Sequence, residues 1–98
     1  ILARNAKFGK YELDIVAKRG DTVAFVEVKA RRTGALVSPE ENVDWKKRKH
    51  IRAAARACKS SLGLQDCYFR YDIASVEVPQ WGKARVTYYE DAFTDDDE

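Results

Sequence analysis

The 98-residue sequence contains no methionine, one histidine, two prolines and two cysteines. Each scarcity excludes something. Without a methionine, Ile1 is not expected to be a native start, and an N-terminal segment is expected to be missing from the chain. Cys58 and Cys67 make neither a disulfide framework nor a zinc-ligand spacing. They read as reduced, partly buried thiols, which points to a cytoplasmic protein. His50, alone on a predicted helix, is a weak candidate for an auxiliary base. No apolar run reaches membrane-spanning length, and no signal-peptide pattern opens the chain, so no membrane partner is expected. A large excess of one charge is absent too: the formal net charge is +2.

That small total hides a segregation. The segment WKKRKHIRAAARACK is basic and the terminal TDDDE is acidic, a pattern that signals a local cationic patch better than the net charge does. With 35% charged and 45% hydrophobic residues, the chain has the composition of one globular domain. We place that domain over residues 1–93 and read 94–98 as an acidic, disordered tail.

Residues 1–8 can form a first strand, ended by Gly9 and Lys10. Residues 11–17 and 22–30 alternate at period two, as half-buried strands do. Ser38-Pro39-Glu40-Glu41 resembles a helix start, and Asp44 is a second cap before a helix from about Trp45 to Ser61. Along it Ile51, Ala54, Ala55 and Cys58, with Leu62, share an apolar face. Gly63 is the expected C-cap. Residues 67–78 alternate as a strand, 79–82 form a turn, and ARVTYYE gives the last strand. Strands around one long helix define a mixed α/β domain.

Gly20-Asp21 suits a two-residue hairpin turn. Facing residues then have numbers that sum to 41. Leu13 faces Val28, Ile15 faces Val26 and Ala17 faces Ala24, and this apolar side is assigned to the core. On the other side Val16 faces Phe25, Asp14 faces Glu27 and Glu12 faces Lys29. A slip of one residue would mix the two sides. Glu12 and Lys29 can be a plain cross-strand pair. Asp14 opposite Glu27 is different, because like charges directly opposed destabilise a hairpin. A shared proton, nearby cations or a divalent metal would offset that repulsion. The hairpin alone leaves a metal site and a charged surface both open. As a metal site, Asp14 and Glu27 would hold Mg²⁺ or Mn²⁺ against a phosphate, and Lys29 would stabilise negative charge.

Around these residues the sequence resembles the YraN family of bacterial proteins. The resemblance is carried by ILARN, ELDIVA, FVEVKARR, SPEE with the basic helix, FRYDIASV and EDAF, and so covers nearly the whole chain. Family members are predicted nucleases of the restriction-endonuclease-like PD-(D/E)xK superfamily, related to archaeal Holliday-junction resolvases. The resemblance implies a mixed β-sheet with a central hairpin flanked by helices, the N-terminal helix being absent from this chain. It implies Asp14 and Glu27 as metal ligands, Lys29 as catalytic lysine and Glu12 as an accompanying acid. It further implies Mg²⁺- or Mn²⁺-dependent endonuclease activity on structured, branched DNA, and a homodimer. Two departures stand out. Tyr11 occupies a position commonly glycine in the family, and the additional N-terminal glutamate of many superfamily members has no counterpart.

The remaining residues allow two readings each. Lys49, Arg52, Arg56 and Lys59, with Lys46, Lys47 and Arg48, form a cationic stripe that either contacts phosphates or is simply solvated. Arg31 and Arg32, after the hairpin, either bind the nucleic-acid backbone or protect an edge strand. Trp45, Tyr68, Tyr71, Tyr88 and Tyr89 are assigned mainly to the core, with Trp81 singled out in a polar turn as a base-stacking candidate. Asp72 is expected in a cross-strand pair. The chief alternative to a nuclease is a non-catalytic nucleic-acid-binding module of the same fold. A protein-interaction domain is a third reading.

Overall fold

The computed structural model describes residues 1–32 and 44–95. Five strands, β1 (Ala3–Phe8), β2 (Tyr11–Arg19), β3 (Thr22–Arg32), β4 (Tyr68–Val78) and β5 (Arg85–Phe93), and one helix, α1 (Trp45–Leu62), make up the described elements. The strands form one sheet in sequence order; β3 and β4 are parallel and the other neighbours antiparallel. A parallel pair needs a long crossover, and α1 lies within it. The domain is therefore mixed α/β, as the sequence predicts. The expected helix start at Ser38–Glu41 and the last three acidic residues lie outside the described residues.

The hairpin register follows the turn. Gly20 has φ 61°, a left-handed conformation that glycine adopts without a Cβ clash, and the ladder pairs Arg19 with Thr22, Ala17 with Ala24, Val16 with Phe25 and Ile15 with Val26. All of these pairs sum to 41. The row that α1 covers around Val16, Val23 and Phe25 is, however, not the one assigned to the core, although Leu13, Ala24 and Val26 of the assigned row are buried as expected. The apolar cluster contains Val16, Val23 and Phe25 together with Ile51, Ala54, Ala55 and Cys58 of α1, whereas Ile15 and Ala17 are outside it. Both rows of the hairpin are apolar, so alternation separates them without saying which one α1 covers.

Asp44 caps α1 by accepting the Lys47 N–H at 2.9 Å, and Gly63 ends it at φ 65°. Leu62 is exposed, contrary to expectation; Leu64, past the cap, fills the core instead. Most of the aromatics depart from the expected core assignment as well. Tyr71 is buried, stacked on Phe93 at 4.9 Å, and Tyr89 packs against the cluster. Trp45, Tyr68 and Tyr88 are exposed, as is Trp81, which the sequence already keeps out of the core. Just past β5, the Thr94 carbonyl accepts Arg52 Nε at 3.1 Å, and Asp95 accepts the Tyr71 hydroxyl at 2.5 Å.

Candidate metal and nucleic-acid site

Strand β2 changes character at Asp14. Its pairing with β1 is interrupted between Arg4–Ile15 and Ala6–Leu13, where Asn5 takes φ 45°. On the other side the recorded ladder with β3 ends at Ile15–Val26. Val28 N–H instead donates to Asp14 Oδ2 at 2.8 Å. Tyr11, Leu13 and Val16 all reach the helix-side cluster, although strict alternation would put Val16 on the opposite face from the other two. The irregularity thus falls at the candidate ligand and fixes its carboxylate across the hairpin.

Glu27, in the middle of β3, is 5% exposed. Burial, then the adjacent Asp14 carboxylate, pushes its carboxyl above the ordinary range, and hydrogen bonding to Asp14 adds to the effect. Lys47 and Lys29 oppose the shift. Each lysine places Nζ 3.7 Å from Glu27 Oε1. The site is therefore two neighbouring carboxylates, with two ammonium groups on one of them. Lys29 arrives by the two-residue repeat of β3 and Lys47 from the first turn of α1. Lys47 is the member that the sequence does not single out, because its place depends on how the helix crosses the sheet.

Glu12 is not part of this arrangement. It is exposed and opposite Lys7 of β1, while Lys29, its expected partner, turns to Glu27. Once the recorded β2–β3 ladder ends at Ile15–Val26, the 41-sum rule no longer positions Glu12. Among the described residues no group of three or more His, Cys, Asp or Glu side chains converges; the donor set is a pair.

The cationic candidates divide. Lys46, Lys49 and Arg56 line one cleft with Tyr11, Trp45 and His50. Arg52 faces inward instead. It is 9% exposed, bonds the Thr94 carbonyl and lies over the Phe93 ring. Lys59 sits 4.1 Å from the Phe69 ring centroid. The Lys59 stem lies over the sheet, whereas the Arg52 guanidinium is itself buried. Arg31 is half-buried and in register with Glu77, and Arg32 lies by exposed Trp81 in a second cleft.

Asp72 belongs to a separate network on the other face of the sheet. It is fully buried and accepts Arg70 Nε at 3.0 and 3.1 Å, the Asp91 N–H at 2.8 Å, and the Tyr88 hydroxyl. The expected cross-strand partner is Tyr88 of β5, while the ionic partner, Arg70, is on its own strand two residues away.

A mixed sheet with an irregular hairpin holding an acidic pair under a basic helix defines the class. The chain belongs to the uncharacterised protein family UPF0102, whose profile matches residues 1–76. A UPF0102 protein of Chlorobium phaeobacteroides is 36% identical over 96 residues, covering 97% of this chain and 76% of that protein. One from Nitratidesulfovibrio vulgaris is 41% identical over 76 residues, covering 78% and 57% respectively. One from Sorangium cellulosum is 37% identical over 98 residues, covering 95% and 67%. The chain thus spans only part of the length of these relatives. Among the described residues no helix is long and apolar enough to cross a membrane.

Proposed function

We propose that this domain is a metal-dependent phosphodiester hydrolase of the restriction-endonuclease-like type, acting on structured DNA. One observation carries the reading: the Asp14 carboxylate, fixed by the Val28 N–H, neighbours a buried Glu27 that Lys29 and Lys47 each approach at 3.7 Å. Like charges brought together at a part-buried site repel, and hard oxygen donors of this kind suit Mg²⁺ or Mn²⁺. A bound divalent ion supplies an acidified water and offsets phosphate charge. The protein's own part is positioning. Glu27 and Asp14 would supply the ligand oxygens. Lys29, partly exposed beside Glu27, is placed to neutralise a non-bridging phosphate oxygen in the transition state. Lys47 approaches the same carboxylate from the helix and would hold the Glu27 side chain in place. Lys46, Lys49 and Arg56 would engage the backbone.

A second reading, a non-catalytic nucleic-acid-binding module, is favoured by the two lysines on Glu27, since they already offset much of its charge. Cleavage assays on branched, nicked and single-stranded DNA with Mg²⁺ or Mn²⁺ separate the two. Cleavage lost in Asp14→Asn and Glu27→Gln supports the hydrolase. Salt-dependent binding that is insensitive to EDTA, with no cleavage of any substrate, supports the module.

A further inference from the structure

The cleft lined by Tyr11, Trp45, Lys46, Lys49, His50 and Arg56 has a composition that phosphate binding alone does not explain. Tyr11 and His50 stack at 4.0 Å with their planes 10° apart. That contact ties the start of β2 to α1 and makes a rigid aromatic wall. Trp45, in the first turn of α1, is 63% exposed. A large indole left in water beside three cations has no role in the core. The same two elements carry both the cleft and the acidic pair: Asp14 is three residues from Tyr11 on β2, and Lys47, which reaches Glu27, directly follows Lys46.

Duplex DNA presents stacked bases whose faces are closed, so it would use the cations and leave the rings idle. An unpaired strand uses both, with phosphates on the ammonium and guanidinium groups and bases on the aromatic surface. We infer that this cleft takes an unpaired nucleotide strand, with Trp45 as its stacking platform, and delivers it to the carboxylate pair. The inference deepens the hydrolase reading and rests on it for the identity of the neighbouring site. The preferred substrate is then a DNA or RNA single strand, or the unpaired arm of a branched structure, rather than a continuous duplex.

The test is fluorescence anisotropy in EDTA at fixed salt, with a short oligodeoxyuridylate, an oligouridylate and a hairpin duplex of equal phosphate count. The full chain should bind a single strand more tightly than the duplex. Trp45→Ala should weaken single-strand binding roughly tenfold while leaving duplex binding unchanged, and Trp45→Phe should restore most of it. Trp45 is exposed, so its replacement spares the core. The ratio between the two oligonucleotides identifies the sugar. Equal affinity for strand and duplex, or equal losses on both in Trp45→Ala, overturns the inference. Cleavage is scored separately with Mg²⁺: a Trp45-dependent strand preference without cleavage leaves the cleft standing and removes only the hydrolase reading.

Discussion

Asp14 Oδ2 accepts the Val28 N–H at 2.8 Å, so a side chain on β2 satisfies a main-chain donor on β3 just past the last recorded ladder pair of the hairpin. The same carboxylate lies against Glu27. One residue is thus both a structural clamp and a candidate ligand, and two substitutions separate these roles. Asp14→Ala orphans the Val28 donor and is expected to cost about 1–3 kcal/mol in urea unfolding. Asp14→Asn keeps an acceptor for Val28 and offers Glu27 an amide donor, so its unfolding midpoint should match or exceed that of the unsubstituted protein. Both should abolish cleavage.

Glu27 predicts a site that lowers stability. Its folded carboxyl is raised above the ordinary range, chiefly by burial and by Asp14. A raised folded value means that the native state prefers the proton. The stabilisation is complete below the unfolded value, near pH 4, and is lost as pH rises through the folded one. At any pH above the unfolded value the carboxyl therefore costs stability. Glu27→Gln should raise the melting temperature by a few degrees at pH 7 in EDTA, with the gain fading as the pH is lowered toward 4. Mg²⁺ should raise the melting temperature of the unsubstituted chain and leave that of Glu27→Gln unmoved. A stability loss in Glu27→Gln at pH 7 would contradict the repulsion on which the site is built.

What the sequence makes legible here is local. Gly20 and Asp21 set a two-residue turn, and with it a register that holds from Arg19–Thr22 to Ile15–Val26. Asp44 and Gly63 bound the helix because capping acts within one turn. Placement across elements is not legible. Val16–Phe25 and Ile15–Val26 are both apolar rows, and only the packing of α1 decides between them. The break at Asp14 escapes a period-two reading, since nothing in ELDIV interrupts the alternation; the left-handed Asn5 on the neighbouring strand is its visible counterpart. Arg52 looks like a member of an exposed stripe because helix spacing ignores Phe93 and Thr94, which arrive from the far end of the chain.

The network around Asp72 should behave as structure rather than as site. Asp72→Ala strips the partner from the Tyr88 hydroxyl and the Asp91 N–H, while Arg70 keeps Glu90 at 2.7 Å. The expected cost is about 1–3 kcal/mol for each orphaned group, read by urea unfolding, with no defect in metal binding beyond that of the unfolded fraction. The phenol of Tyr88 is pushed up to about 12, by partial burial first and by donation to Asp72 second. Its contribution is complete below the unfolded value near 10 and lost as pH rises toward 12. Tyr88→Phe should therefore reduce stability at pH 8 and narrow its deficit across pH 10–12. The difference in tyrosinate absorbance between the unsubstituted chain and Tyr88→Phe should place the Tyr88 transition toward pH 12.

Arg52 and Lys49 belong to one helix and one charge type, yet they should fail in opposite assays. Arg52 is buried against Phe93 and bonded to the Thr94 carbonyl. Arg52→Ala removes a charged hydrogen bond worth about 1.5–3 kcal/mol, so it should lower the unfolding midpoint and leave the salt dependence of DNA binding unchanged. Lys49 is exposed in the cleft beside Trp45. Lys49→Ala should leave stability within about 0.5 kcal/mol and reduce the slope of log affinity against log salt by about 0.7–0.9, the share of one phosphate contact. The slope is measured by titrating DNA at four or five salt concentrations in EDTA. Equal slopes for Lys49→Ala and the unsubstituted chain would remove Lys49 from the interface, and a reduced slope for Arg52→Ala would return Arg52 to it.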